Sequence, residues 1–188
     1  MSLYLFDPNV LEGPLSHDEA QAVVAAPAYW SFCWASGQVL AQYIIDHPEH
    51  VANKTVIDFG SGSGIVAIAA ALSGAKAVYA CDIDQDALDA VAVNAHANNV
   101  HLNTCRNLDD IEEEIDLVTA ADVLYDKDNY SLLDLFVTRS KRTILADSRV
   151  RHLPSENYQL TQTVQARTWP DLNEFEEFNQ VRIYQSLS

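Results

Sequence analysis

The run Val56-Ile57-Asp58-Phe59-Gly60-Ser61-Gly62-Ser63-Gly64 constrains this chain more than any other feature. An apolar stretch ends in an acid, glycine then alternates with small residues, and a helical pattern begins at Gly64. A strand, a glycine-rich turn and a helix N-terminus therefore follow one another directly. Glycine has no Cβ and tolerates positive φ, so a ligand can touch the backbone of such a turn. The dinucleotide fingerprint G-x-G-x-x-G/A needs a third small residue to seat the helix on the strand. Here Ile65 stands at that position, and the fingerprint fails. The spacing acid-x-G-x-G-x-G is met in full by Asp58, Gly60, Gly62 and Gly64. No Lys-Ser/Thr pair follows, which sets the turn apart from a phosphate-binding loop. A glycine turn with no ligand is the competing reading of the spacing alone.

A second apolar run, Val78-Tyr79-Ala80-Cys81-Asp82-Ile83-Asp84, also ends in acids, after a helix that closes at Ser73-Gly74. A carboxylate at the tip of this strand can accept both hydroxyls of a ribose. Nucleoside-binding α/β folds place an acid about 20 residues past the glycine turn for that purpose. Asp84 competes with Asp82 for the role, and strand-end register favours Asp82. The plainer reading of Asp82 is an N-cap for the helix expected over Gln85 to His96.

Composition bounds the function classes. A chain of 188 residues, 48% of them hydrophobic, is expected to fold as one domain with a full core. No apolar run is long enough to span a bilayer, and MSLYLFDPN lacks the pattern of a signal peptide. The odd cysteines Cys33, Cys81 and Cys105 have no C-x-x-C spacing and read as reduced thiols of a cytoplasmic protein. With 11 basic against 27 acidic residues the formal charge is −16. That balance is unfavourable for a substrate held by its phosphates, so neither nucleic acid nor a membrane is expected as partner. The basic group Arg139, Lys141, Arg142, Arg149 and Arg151 reads as solvated charge on a helix end and loop. The acidic runs serve solubility and could attract a basic protein. His47-Pro48-Glu49-His50 cannot form a helical ligand pair across its proline, so no metal is expected. Ser61 and Ser63 lack the context of a nucleophile elbow, which argues against a hydrolase.

The pattern alternates strands with helices. Ser16-x-x-Glu19 looks like a capping box before Ala20 to Ala26. Val39, Leu40, Tyr43 and Ile44 have helical spacing. Strands are expected at Thr55 to Phe59, at the run ending at Asp82, at Val100 to Cys105, at Ile115 to Ala121 and at Thr143 to Ala146. Helices are expected over Gly64 to Ser73, with Leu88, Val91, Ala92 and Ala95 on one face of the next, and around Leu132 to Val137. Tyr158 to Thr168 and Gln180 to Gln185 alternate as an antiparallel pair would. This is a Rossmann-like, doubly wound α/β fold with helices on both faces of a mostly parallel sheet. Residues 1–50 read as an N-terminal helical, substrate-side segment and 51–188 as the core, within one compact domain.

The turn Asp58 to Gly64 resembles motif I of the class I (seven-β-strand) S-adenosylmethionine-dependent methyltransferases. That resemblance implies a sheet order 3-2-1-4-5-7-6 with strand 7 antiparallel. It implies S-adenosyl-L-methionine as cofactor, with S-adenosyl-L-homocysteine as product. After strand 4 comes Asp122-Val123-Leu124-Tyr125, the D-x-x-Y form found in protein methyltransferases that mostly target lysine. Upstream lies Pro27-Ala28-Tyr29-Trp30-Ser31-Phe32-Cys33-Trp34-Ala35-Ser36-Gly37-Gln38. Together with Asp82-Ile83-Asp84 and Asn94, these blocks resemble the lysine methyltransferases of the electron-transfer flavoprotein β-subunit, from Pro27 to Asp126. Ser36 replaces a glycine of that pattern, and Ala146 to Arg151 matches it only loosely.

The resemblance implies Asp122 and Tyr125 as catalytic residues, with Asp122 positioning an amine. It implies that Trp34, Asp58, Gly60, Ser61, Gly62 and Gly64 meet the cofactor, joined by Asp82, Ile83 and Asn107. Asp109 is an alternative to Asn107 beside the adenine. Trp30 and Phe32 are either core residues or, for Trp30, a flank of the amine. Gly37 is expected where a backbone approaches the cofactor closely. The implied partner is a protein with a target lysine. A nicotinamide-like small amine, or a cofactor-binding module without transfer activity, are the alternatives.

Overall fold

The computed structural model describes residues 1–10, 27–172 and 174–187. The expected capping box at Ser16 and Glu19 lies outside them. The strands are β1 (Thr55–Phe59), β2 (Ala77–Cys81), β3 (Asn103–Cys105), β4 (Leu117–Ala121), β5 (Thr143–Asp147), β6 (Tyr158–Gln165) and β7 (Gln180–Ser186). They form one sheet in the order β3-β2-β1-β4-β5-β7-β6, as expected. Pairs from β3 to β5 are parallel, and β7 runs antiparallel to both β5 and β6. The helices are α1 (Ala35–Asp46), α2 (Ile65–Leu72), α3 (Gln85–Ala97) and α4 (Leu132–Arg139).

Alternating residues of each strand face opposite layers. Val56, Val78, Ala80, Leu117 and Ile144 meet α1, α2 and Val91 of α3 on one side. Ile57, Cys81, Val118 and Leu145 meet Leu133 and Phe136 of α4 on the other. The central parallel strands β1, β4 and β5 are buried on both faces, which is why they read as apolar runs, whereas the edge strand β3 is only partly buried. α1, from the 1–50 segment, packs in the same core as α2. The Cβ that Gly37 lacks would lie 3.3 Å from Ile65 Cγ2. The close approach at Gly37 is therefore helix against helix.

Three boundaries differ from expectation. β3 starts at Asn103, because Asn99 takes a left-handed φ of 55° and Val100 N–H donates to Ala95 C=O. The helix terminus thus consumes the residues expected to open the strand. β4 starts at Leu117, with Ile115 making only an isolated bridge to Ser140. β6 ends at Gln165, since Trp169 leaves the sheet to bridge antiparallel to Cys33. On α3, Ala92 is exposed and Asn94 is fully buried in its place. Among the described residues no helix is long and apolar enough to cross a membrane.

Candidate cofactor and amine site

The C-terminal ends of β1, β2 and β4 meet at the strand-order reversal, where open α/β sheets hold ligands. The glycine turn leaves β1 with φ values of 68°, 50° and 81° at Gly60, Gly62 and Gly64. A Cβ on Gly60 would lie 2.8 Å from Val123 Cγ1 and one on Gly64 3.1 Å from Val91 Cγ2. Gly62 is different: its nearest neighbour would be the Trp30 Cα at 3.9 Å, so its outer face has room. The turn is tied to β2 by Gly60 N–H and Ser61 N–H, which donate to Cys81 C=O at 2.8 and 3.1 Å.

Asp58 lies beneath the turn with its carboxylate spent inside the protein. Oδ2 accepts from Ala67 N–H at 3.2 Å and Oδ1 from Thr119 Oγ1 at 3.1 Å. Burial raises its pKa to about 7 against the pull of these donors. Ser61 Oγ donates to the Asp58 carbonyl at 2.6 Å. Asp58 and Ser61 therefore shape the turn from within.

Asp82 sits half-buried just past β2. Its Oδ2 accepts from Gly62 N–H at 3.0 Å and its Oδ1 from Asp84 N–H at 3.1 Å. A carboxylate offers about four lone-pair sites, so one remains on each oxygen. The cap of α3 is Asp84, whose side chain accepts from Asp86 N–H at 2.9 Å. The N-cap reading of Asp82 therefore falls to its neighbour. Ile83 is exposed beside it, and its carbonyl accepts from Arg106 Nη2 at 2.7 Å. Asn107 is exposed and N-caps a single 3-10 turn, Leu108–Asp110, in a capping box with Asp110. Asp109 points to solvent, 3.9 Å from Arg139.

Asp122 follows β4 with a left-handed φ of 52°. Its Oδ1 accepts from Ser148 N–H at 2.9 Å and from Ser148 Oγ at 2.8 Å. Burial raises its pKa, partly offset by Ser148 and by the Ser36 hydroxyl. Ser36 is wholly buried and its Oγ makes no hydrogen bond within ordinary distance. Asp147, at the end of β5, is pushed up to about 6 by burial and by the charge of Asp122. Its Oδ1 accepts from the Arg149 and Val150 amides at 2.8 and 2.6 Å. A half-buried carboxylate, Asp122, and a buried one, Asp147, thus neighbour each other at the ends of β4 and β5.

An aromatic row borders the site. Ring centroids lie 5.9 Å apart for Phe32–Trp34, 6.0 Å for Trp34–Tyr29 and 6.4 Å for Tyr29–Tyr125. Trp34 Nε1 donates to the Tyr29 carbonyl at 2.8 Å. Trp30 meets the turn through its backbone at Gly62. Tyr29 links the row, a role that its place in the Pro27 to Gln38 block does not signal. Ser36, Ser148 and Asp147 were missed as well; an acid closing strand 5, as Asp122 follows strand 4, was the available signal for Asp147.

The basic group does not form a patch. Arg139 binds the Leu108 carbonyl, Lys141 pairs with Asp116, Arg142 binds Gln185, Arg149 pairs with Glu174 and Arg151 with Glu177. No cluster of metal-binding side chains occurs among the described residues. A separate cleft of about 460 Å³ is lined by Gln38, Tyr43, His47 and Gln162 and by none of the glycine-turn residues.

Residues 39–126 match the family model for ribosomal protein L11 methyltransferase (PrmA). The electron transfer flavoprotein beta subunit lysine methyltransferase of Mus musculus is 36% identical over 127 residues, 63% of this chain and 50% of the relative. The ribosomal protein L11 methyltransferase of Legionella pneumophila (strain Corby) is 60% identical over 48 residues, 26% of this chain and 17% of the relative. The chain thus spans about half the length of the mouse relative and 17% of the Legionella one. Among solved structures, the ribosomal protein L11 methylase of Lactobacillus delbrueckii subsp. bulgaricus superposes with a TM-score of 0.61 at 23% identity, covering 80% of this chain and 77% of that one. In sequence and in fold the chain resembles the class I (seven-β-strand) S-adenosylmethionine-dependent methyltransferases, with the electron-transfer flavoprotein β-subunit lysine methyltransferases among the relatives it matches.

Proposed function

We propose that this chain is an S-adenosylmethionine-dependent N-methyltransferase that modifies a lysine of a protein, the electron-transfer flavoprotein β-subunit or one like it. The observation that carries the reading is Asp82. Each of its oxygens keeps one accepting site beside a turn whose backbone is open at Gly62. Two acceptors at that spacing suit the two hydroxyls of a ribose. The residues fit a nucleoside with no phosphate, since no basic side chain lies in the turn. Ile83, exposed next to Asp82, offers an apolar surface to an adenine face. Asn107 remains a proposed adenine neighbour.

When bound, the cofactor's sulfonium would supply an electrophilic methyl group. The work of the protein is then to place an amine in line and hold it there. A lysine with an ordinary pKa near 10.4 must lose its proton first, at a cost of about 4–5 kcal/mol near neutral pH. Asp122 Oδ1 is occupied by Ser148, so Oδ2 is assigned to accept from the amine. Tyr125, Trp34 and Tyr29 would flank the amine by cation–π attraction, about 0.5–2 kcal/mol each. The proton leaves to solvent water.

The test is transfer of labelled methyl from S-adenosylmethionine to purified flavoprotein β-subunit and to a cell lysate. Label in a protein band, mapped to lysine by mass spectrometry, is the expected result. Label confined to the small-molecule fraction would replace the protein substrate with an amine metabolite. No label in either would leave a binding module.

A further inference from the structure

Cys81 and Cys105 are direct register partners at the C-terminal ends of β2 and β3. Parallel neighbours in a sheet point their side chains to the same face, about 4.8 Å apart along the hydrogen-bonding direction. Both sulfurs lie in the layer that packs with Leu108 and Ile111. The separation falls inside the roughly 4.4–6.8 Å between Cα atoms that a disulfide spans. All three cysteines of the chain are free thiols. We propose that Cys81 and Cys105 form a reversible disulfide, and that its formation weakens ligand binding at the glycine turn.

The two thiols are unequal. Cys105 is half-buried, whereas Cys81 is 1% exposed, so an oxidant meets Cys105 first. The proximity of the two thiols lowers the Cys105 pKa and raises that of Cys81. The carboxylate of Asp110 opposes ionisation of both, and Asp82 that of Cys81. With hydrogen peroxide as oxidant, the Cys105 thiolate attacks one peroxide oxygen, giving a sulfenic acid and releasing hydroxide. The Cys81 sulfur then attacks the Cys105 sulfur, forming the S–S bond. The sulfenic oxygen leaves as water, carrying the Cys81 proton. Two thiols are oxidised and one peroxide is reduced to two waters.

The bond would act where the site is anchored. The Cys81 carbonyl accepts from Gly60 and Ser61, and the Cys105 carbonyl accepts from Asp82 N–H at 3.1 Å. Directly opposed strands hold the two Cβ atoms farther apart than the roughly 3.8 Å a relaxed disulfide prefers. Closing that gap displaces the backbone that aims Asp82 and the turn. A bridge under such strain is also the readily reduced kind. Cys33 takes no part: it is 4% exposed and burial pushes its thiol up to about 12.

The test treats the protein with stoichiometric hydrogen peroxide, counts thiols, maps peptides by mass spectrometry and measures S-adenosylhomocysteine affinity by calorimetry. Free thiols should fall from three to one. The Cys81 and Cys105 peptides should be joined with loss of two hydrogens, and affinity should drop about tenfold and recover with dithiothreitol. Oxygen adducts without a bridge, a bridge to Cys33, or disulfide-linked dimers would overturn the proposal. A bridge that leaves affinity unchanged would overturn its link to the site. Cys105→Ser should bind the nucleoside as the reduced protein does and ignore peroxide. Should that variant misfold, Cys33→Ser keeps both bridge partners, and its free thiols should fall from two to none on oxidation. The affinity readout rests on the proposed function, while the mass readout does not. Reduced protein that binds no S-adenosylhomocysteine would therefore count against that function and leave the disulfide to its own test.

Discussion

Three residues at strand ends carry separable jobs. Asp82 spends half its accepting capacity on the protein. Asp82→Ala removes the rest and frees the Gly62 amide, so S-adenosylhomocysteine binding should fall by a factor of about 100 or more in calorimetry. Asp122 is engaged by Ser148 through one oxygen only. Asp122→Ala should hold nucleoside affinity within about twofold and cut single-turnover methyl transfer by about 100-fold. Wild-type transfer in that variant would remove Asp122 from the chemistry. Gly60 has both a φ of 68° and a neighbour at 2.8 Å from any added Cβ. Gly60→Ala should cost about 1–3 kcal/mol in urea unfolding, with the site distorted as well. The acids were legible because a charge that ends an apolar run has few structural reasons to be there. Ser36 and Ser148 were not, since their contacts with Asp122 join α1, β4 and β5 across the fold and leave no local pattern.

At the scale of elements, β1, β2 and β5 matched expectation to within a residue, because buried parallel strands announce themselves as short apolar runs. α3 was found with Leu88, Val91 and Ala95 buried as expected, but one position of its inner face differs. Helical spacing pointed to Ala92, whereas the buried position is Asn94, whose amide serves two other segments. Asn94 Nδ2 donates to the Ser63 carbonyl at 2.8 Å, and its Oδ1 accepts from Tyr4 N–H at 2.7 Å. Asn98 holds Ser2 in both directions, at 2.8 and 2.6 Å. Phe6 N–H then reaches the Ser31 carbonyl at 2.8 Å. Residues 2–6 are thereby strapped along α3 to the turn Tyr29–Ser31. Asn94→Ala leaves buried groups unpaired at both ends. It should cost about 2–3 kcal/mol by urea unfolding and raise the rate of proteolysis near Tyr4. An unchanged cleavage rate would mean that the strap is held elsewhere.

The whole molecule should respond to pH through its buried acids. Asp58 is raised to about 7 and Asp147 to about 6. Because the folded protein holds these protons more tightly than the unfolded chain, their contribution is fully present below the unfolded value near 3.8. It is lost as pH rises through about 6 to 7. Asp116 has the opposite sign, lowered by Lys141, but is ionised in both states across this range. The net charge of −16 adds self-repulsion that eases on the same titration. Tm should therefore rise by about 3–8 °C between pH 8 and pH 5.5 in scanning calorimetry. Asp58→Asn should flatten much of that slope.

The sheet order also bears on how the molecule is made. β6 is an outer strand whose neighbour is β7, and β7 pairs on its other side with β5. A chain emerging in order from the ribosome therefore completes β6 before the strand that must separate it from β5 exists. During that interval β6 has nowhere correct to go, and pairing directly with β5 would be a trap. Its residues suit the delay: after a buried Tyr158, most positions through Gln165 are exposed and polar. A segment so poor in apolar surface gains little from docking early and can stay in water until β7 arrives.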